Sequence, residues 1–413
     1  MRILWLCNIM LPAIAQKLGV PHSNREGWLS GLYAQFVVDV DNGMKLAVAF
    51  PHAHPDKFMV DKTACYGFHT DIEAPEKYDR TLEPYFKDML ADFKPDIIHI
   101  FGSEFPHALA LARACDKPER ILLGMQGLCG KIAEAYTEGL PADVVAGGTF
   151  RDLVRQDSIA QQQEKFAKRA ENERELFSLV SHVAGRTEFD RAAAAELNGK
   201  AAYHYLGENM RDSFYQGRWE VDNCGPYSIF QSQGDYPIKG LHYMLEALPA
   251  ILYRFPEAHL YVAGTNIMSS RLKISAYGKY LQKLINDHGL EDKVTMLGNL
   301  SEAKMKAQFL KSSVFVCPSI IENSPNAVAE AMLLGVPVVA AAVGGIPSFI
   351  RDGKTGLLYE PGNITDLAAA IQIAWDRETA REISAAAAEQ AHVVHNRARN
   401  YMRLLDIYKW EMG

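Results

Sequence analysis

Short apolar runs alternate with longer amphipathic stretches along nearly the whole chain, the pattern of a parallel sheet wrapped by helices. Strands are predicted at 3–7 (ILWLC), 46–50 (LAVAF), 97–101 (IIHIF), 121–125 (ILLGM) and 180–184. After a break they resume at 227–231 (YSIFQ), 259–263 (HLYVA), 293–297 (KVTML), 313–317 (SVFVC) and 337–341 (PVVAA). Several of these runs are apolar without alternation, as strands covered on both faces are. Between the two series, 206–226 loses its periodicity and gathers Gly and Pro, which marks a join. The pattern therefore predicts an α/β chain of two doubly wound, Rossmann-like domains facing across a cleft. The first is expected over residues 1–208 and the second over 209–394, with the terminal helical stretch 395–413 packing back onto the first. Segment 151–178 reads as one long charged helix of the first half.

Composition adds bounds. At 413 residues, 48% apolar and 23% charged, the chain is globular and too long for one ordinary core. A net charge of −7 gives no support for a nucleic-acid partner. The six cysteines are scattered with no C-x-x-C pair, so reduced core thiols are expected over disulfides or a zinc site. The first fifteen residues, MRILWLCNIMLPAIA, resemble a signal peptide. Asn8 and Pro12 interrupt that run, however, and a first buried strand entering a ligand loop fits it better. No apolar stretch approaches the roughly 20 residues that cross a bilayer. A cytoplasmic protein is expected.

In open α/β sheets, ligands bind beyond the carboxyl ends of the strands, so the loops there carry the candidate chemistry. The most informative is in 313–337, SVFVCPSIIENSPNAVAEAMLLGVP. A strand ends at Cys317, and Glu322 follows in a loop. Ser324 suits an N-cap and Pro325 a first helical position, and Gly335 with Pro337 closes the helix. The free amides near 323–326, backed by the helix dipole, form an anion site suited to a diphosphate or sugar oxygens. Glu330, a turn and a half into the helix, has mainly apolar neighbours and needs hydrogen-bond donors such as ribose hydroxyls; a nearby Lys or water would also serve. In 227–248, Lys239 and Gly240 open an amphipathic helix, where a lysine opposes the dipole and is explained by an anion.

Glu322-x7-Glu330, with AMLLGVPVVA and VGGIPSFIRDGKTGLLYEPGN (343–363), resembles the family-4 retaining glycosyltransferases of the GT-B fold. That resemblance covers the second half. It implies that Glu322, Asn323, Ser324, Pro325 and Asn326 face the donor sugar and phosphate, that Glu330 holds the ribose, and that Lys239 binds the diphosphate. It further implies that the base lies over Asn299 and Leu300, with Gly264 letting the chain pass close to the nucleotide. Where the family usually carries an Arg before this Lys, the chain has Gln233 and Gly234, and Arg271 is a candidate substitute. Ser348 stands where the family often has Glu.

In the first half, Gly27 matches a glycine of the family's loop near the diphosphate, although a lone loop glycine is also common punctuation. Gln126-Gly127 stands where relatives carry His-Gly. Gln126 can make the same kind of hydrogen bond to the sugar but cannot titrate, which argues against a general base there. Glu104 is an acceptor-side carboxylate candidate; Arg186 is an acceptor-side cation candidate, with a structural role at the domain edge at least as open. His99 reads as a core residue. Asp39-Val40-Asp41 and His52-Ala53-His54 mimic metal motifs without supporting context.

The resemblance implies a metal-independent, cofactor-free retaining transfer of a hexose-type sugar, UDP- favoured over GDP-, to a glycan or lipid-linked glycan acceptor. The alternatives are a GT-B sugar-nucleotide epimerase and a catalytically silent nucleotide-sugar-binding protein. The basic residues of 151–178 leave open a solvated helix or peripheral docking on the cytoplasmic membrane face.

Overall fold

The computed structural model of the protein describes residues 1–20, 27–39, 43–268 and 273–411. The chain divides into two compact units. Unit 1 comprises Met1–Ala133, Lys165–Arg211 and His395–Gly413, and unit 2 comprises Glu134–Glu164 and Asp212–Val394.

Unit 1 is built on an eight-stranded sheet. Its strands are β1 (Arg2–Leu6), β2 (Lys45–Pro51), β3 (Asp56–Val60), β4 (Thr63–Phe68), β5 (Ile97–Phe101), β6 (Ile121–Gly124), β7 (His182–Gly185) and β8 (Ala202–Tyr205). The order is β3-β4-β2-β1-β5-β6-β7-β8, parallel except for the antiparallel β3–β4 pair. The order reverses beside β1, so the loops after β1 and β5 sit at a switch point, where such sheets bind ligands. The apolar runs form the strands because both faces are covered. Trp5 packs edge-on against Phe36 and Phe101, at 5.2 and 5.3 Å between ring centroids. The Arg397–Asp406 helix, capped by Asn396, buries Tyr401, Leu404 and Leu405 in the same core. Just beyond it, the Tyr408 hydroxyl accepts from Trp5 Nε1 at 3.1 Å and bonds His99 Nδ1 at 2.6 Å.

Unit 2 has a six-stranded, wholly parallel sheet. Its strands are β9 (Ser228–Gln231), β10 (His259–Ala263), β11 (Val294–Gly298), β12 (Val314–Cys317), β13 (Val338–Ala341) and β14 (Leu357–Tyr359). The order is β11-β10-β9-β12-β13-β14. Here the switch point lies between β9 and β12, whose following loops carry Lys239 and Glu322.

The single helix expected over 151–178 is instead two, Phe150–Arg155 and Ile159–Leu179. Gln156 turns into the left-handed region at φ 52, ending the first. Ser158 and Gln161 then exchange side-chain-to-amide hydrogen bonds that start the second. The first helix is tied into unit 2 by the fully buried Asp152, whose carboxylate accepts from the amides of Thr149 (3.0 Å) and Ala276 (2.8 Å). No helix among the described residues is long and apolar enough to cross a membrane.

Candidate active site

In unit 2 the site is assembled from two loops that backbone contacts hold together. Ile320 donates its amide to the Ile238 carbonyl at 2.8 Å, and Gly345 donates to the Glu322 carbonyl at 2.9 Å. Gly240, at φ 67, lies so close to the β12 loop that a Cβ there would sit 1.8 Å from the Pro318 oxygen. Gly344, at φ 51, would place a Cβ 2.0 Å from the Glu322 oxygen. Both positions therefore demand glycine twice over, by conformation and by space.

This frame brings Lys239 and Glu322 together. Lys239 Nζ donates to Glu322 Oε1 at 2.5 Å, and Ser319 Oγ donates to the same oxygen at 2.8 Å. The side chains are only 18% and 12% exposed. Burial alone would lower the Lys239 pKa, but the charge and hydrogen bond of Glu322, with Tyr236 beyond, hold it above its ordinary value. The ammonium is thus a fixed charge at neutral pH.

Gln231, buried at the end of β9, braces the lysine loop. Its Nε2 donates to the carbonyls of Gln233 (2.8 Å) and Lys239 (2.9 Å). Gly234 explains the absent arginine. It is buried, and a Cβ there would meet Leu241 at 2.6 Å and Val262 at 2.9 Å, so this position faces packing. Arg271 lies outside the described residues.

The helix after β12 spans Asn326–Leu334. Its N-cap is Pro325, not Ser324, and Asn326 is its first residue, one position later than the sequence suggested. No side chain caps it, and the Pro325 carbonyl accepts from Val328 at 3.0 Å. The first amides and the dipole are left for an anion. Asn323 and Glu330 are buried, Ser324 and Pro325 are half-buried, and Asn326 Oδ1 is buried with no partner among the described residues. Gly264, at φ 103, follows β10 and donates its amide to Gly298 at 3.1 Å, tying it to the turn that carries Asn299 and Leu300. Ser348 lies in the short turn Ile346–Ser348.

In unit 1, the residues after β5, β6 and β7 form a second polar cluster. Glu104 Oε1 accepts from the Gly127 amide at 2.7 Å, and Arg169 donates to the Glu104 carbonyl at 2.9 Å. Burial pushes the Glu104 carboxyl up, against the Gly127 amide and the charges of Arg169 and Arg186. Gln126 and Arg186 both donate to Glu208 Oε1, at 3.2 and 2.5 Å. Burial also raises the Glu208 carboxyl, with Arg186 opposing it. His99 is fully buried and its pKa is driven down to about 3 by burial, as a core histidine's would be. Gly27 opens the Gly27–Asp39 helix, and the loop residues before it, like Val40 and Asp41, lie outside the described residues. His52 Nδ1 bonds the His54 carbonyl at 2.8 Å. Among the described residues no three His, Cys, Asp or Glu side chains are grouped to hold a metal ion.

Gln231, Ser319, Gly240, Gly344 and Glu208 were not singled out as site residues from the sequence. Gly240 and Gly344 lie inside the motifs themselves. The others are side chains that act on neighbouring loops, and one sequence carries no spacing that reveals them.

Two Rossmann-like sheets, parallel but for the β3–β4 pair, with a lysine–glutamate pair and an uncapped helix start at the switch point of the second, define a two-unit α/β protein. Residues 223–391 match the family described as "Glycosyl transferases group 1". Similar stretches occur in Sulfoquinovosyl transferase SQD2 of Arabidopsis thaliana, 34% identical over 155 residues, 37% of this chain and 28% of that protein. D-inositol 3-phosphate glycosyltransferase of Mycolicibacterium smegmatis is 34% identical over 135 residues, 31% of each protein. The chain thus spans about a third of the length of these relatives. The putative colanic acid biosynthesis glycosyltransferase WcaL of Salmonella typhimurium is 33% identical over 137 residues, 32% of each. The fold of the whole chain is shared with sucrose-phosphate synthase from Thermosynechococcus elongatus (TM-score 0.70, 16% identity, 99% of this chain and 98% of that one). It is shared also with Anabaena HepE in complex with UDP and glucose (TM-score 0.65, 16% identity, 98% of each). These likenesses show the GT-B fold.

Proposed function

We propose that the protein is a retaining glycosyltransferase that moves a hexose-type sugar from a nucleotide diphosphate, UDP in preference to GDP, onto a glycan or lipid-linked glycan. The observation that carries this reading is the Lys239–Glu322–Ser319 cluster beside the uncapped start of the Asn326–Leu334 helix. Departure of the nucleotide diphosphate builds negative charge, which Lys239 and the helix amides meet without reorganising. Glu322, steadied by Ser319, accepts from hydroxyls of the transferred sugar, and Glu330 accepts from the ribose. Gln126 cannot titrate, so the departing phosphate oxygen takes the acceptor's proton on the same face of the sugar. The reaction needs no metal. The matched region of a colanic acid glycosyltransferase and the UDP complex of HepE support the surface-glycan and UDP readings.

The test is a donor-hydrolysis screen over UDP- and GDP-sugars, with and without EDTA, repeated on Lys239→Ala, Glu322→Ala and Glu330→Ala. Lys239→Ala is expected to reduce turnover by at least about a hundredfold, the scale of losing one stabilising donor. Wild-type rates in all three variants would sink the assignment. The packing of Gly234, which leaves no room for a side chain at that position, favours a second reading: a protein that binds nucleotide sugars without turning them over. Saturable binding with no product in the same screen would select it.

A further inference from the structure

At the amino ends of β1, β2 and β4, unit 1 carries a pocket of about 600 Å³ lined by Arg2, Lys45, Lys57, Lys62, Tyr66 and Asp92 among others. It lies at the opposite end of the sheet from Glu104, Gln126 and Arg186, which follow β5, β6 and β7. The strand register explains how it forms. Arg2 pairs with Lys45, Ala47 with Ala64, and Tyr66 with Lys57, so these side chains share one face of the sheet. The Leu82–Phe93 helix covers that face with Leu82, Phe86, Met89 and Phe93, then ends where Lys94 turns into the left-handed region at φ 52. Past that end the face is open, and Met59 on its wall is 60% exposed.

The pocket gathers four cations against one carboxylate, in a chain whose net charge is −7. Lys57 Nζ donates to Asp92 Oδ2 at 2.6 Å, and the Tyr66 hydroxyl donates to the same oxygen. Lys57 first and Tyr66 second hold the Asp92 carboxyl below its ordinary value, so it stays ionised and offsets Lys57. Arg2 Nε donates to the Phe93 carbonyl at 2.6 Å, and its guanidinium lies 4.6 Å from the Phe93 ring centroid. That fixes the guanidinium while its two terminal amino groups make no hydrogen bond among the described residues. Lys45 Nζ likewise has no ion pair among them. Yet Arg2 and Lys45 stand opposite each other on strands about 4.8 Å apart, and like charges so placed are unfavourable. An anion between them turns that repulsion into binding. Lys62, just before β4, adds a third cation to the row.

Charge and size together define the ligand. A carboxylate brings one negative charge, whereas a phosphomonoester carries about 1.5 to 2 at pH 7 with three acceptor oxygens. Pockets of roughly 300–1,000 Å³ hold organic ligands, so inorganic phosphate alone would leave this one largely empty. Met59 and Phe93 give the organic part an apolar wall.

We propose that this pocket binds the phosphomonoester group of an organic ligand, with Arg2, Lys45 and Lys62 as its cations. A soluble sugar or nucleoside monophosphate offers that group, and so does phosphatidic acid in a bilayer.

Two arms distinguish these sources. The soluble arm titrates 1-naphthyl phosphate by fluorescence anisotropy, with 1-naphthyl sulfate as the singly charged control. The lipid arm cosediments the protein with phosphatidylcholine vesicles doped with phosphatidic acid or with phosphatidylglycerol. Wild type is expected to bind a phosphomonoester probe about tenfold more tightly than its singly charged counterpart. Lys45→Glu should weaken that binding at least about tenfold, and Asp92→Asn, which removes the one carboxylate, should tighten it about threefold. Lys239→Ala should leave it unchanged, and Lys45→Glu should leave the affinity for UDP-glucose unchanged. If Lys45→Glu lowers the Tm, Lys45→Gln decides in its place. Lys45-dependent binding to the phosphatidic acid vesicles identifies a lipid headgroup; Lys45-dependent binding of 1-naphthyl phosphate alone identifies a soluble ligand.

Equal binding of phosphate and sulfate, and of the two vesicle types, would mean a non-specific basic surface and overturn the proposal. An affinity untouched by the Lys45 substitution would do the same. A loss in Lys239→Ala as large as that in Lys45→Glu would put the phosphate in the nucleotide-sugar site instead. Failure of every probe to bind wild type would end the proposal outright.

Discussion

A single methyl group tests the frame of the unit 2 site. Gly344→Ala would place its Cβ 2.0 Å from the backbone oxygen of Glu322, at a φ of 51 that alanine resists. The β12 loop must move, and with it the carboxylate that holds Lys239. We expect at least about a tenfold loss of nucleotide-sugar affinity, measured by calorimetry, from a displacement far smaller than a residue. Ser319→Ala removes one of the two bonds on Glu322 Oε1 and leaves Lys239 in place, so a smaller loss of about threefold to tenfold is expected. An effect of Ser319→Ala larger than that of Gly344→Ala would contradict this ordering. At this scale the sequence was readable where backbone chemistry and spacing coincide: Lys239-Gly240 and Glu322-x7-Glu330 sit at element boundaries that turn residues announce. Gln231 and Glu208 were not readable. Their roles come from side-chain bonds to segments up to 82 residues away in the chain, as between Gln126 and Glu208, and such bonds leave no local periodicity.

At the scale of elements, all ten predicted strands form within about two residues of their expected ends. The four that were missed share a physical reason. The β3–β4 hairpin turns through Asp61, at φ 52, and carries charged positions on its edge strand, while β8 is a half-exposed edge and β14 is three residues long. β3 and β8 lack the continuous apolar run of a strand covered on both faces, β14 is too short to show one, and in the wholly buried β4 Thr63 and Gly67 interrupt it. The split of 151–178 was hidden because charged residues run through it without a Gly or Pro. Its cause is Gln156 in the left-handed region, where a β-carbon is strained. The shorter helix depends on Asp152, which satisfies two amides from a site 1% exposed. Asp152→Ala leaves both amides unmet and should cost about 2–4 kcal/mol. Thr149→Ala, which removes the cap and the hydroxyl's hydrogen bond to the Ile274 carbonyl but leaves both amides bonded to Asp152, should cost about 1–2 kcal/mol. Denaturant titration with limited proteolysis of 134–164 checks both, and equal costs would show that Asp152 is no more than a cap.

For the whole molecule, buried ionisable groups divide unequally between the units, and this sets distinct responses to acid. His99 and His107 in unit 1 are lowered by burial to about 3, and His242 in unit 2 to about 4, from an ordinary 6.5. A histidine with a depressed folded pKa is protonated in the unfolded chain first, so its stabilising contribution is present above 6.5 and is lost as pH falls toward the folded value. At about 1.4 kcal/mol per pH unit, each loses about 2 kcal/mol between pH 6.5 and 5. The carboxyls of Glu104, Glu173 and Glu208, all in unit 1, are raised by burial. Their sign is opposite: their contribution is present below the ordinary carboxylate value and is lost as pH rises through the folded one. Acidification therefore sets two opposing terms against each other in unit 1, whereas in unit 2 the buried His242, and His259 lowered by burial and Lys293, act without a raised carboxylate among the described residues. Hydrogen exchange read by mass spectrometry at pH 6.5 and 5, corrected for intrinsic rates, should show protection falling in unit 2. His242→Gln should remove most of that fall. A pH response in unit 2 untouched by the substitution would mean that His242 does not govern its acid stability.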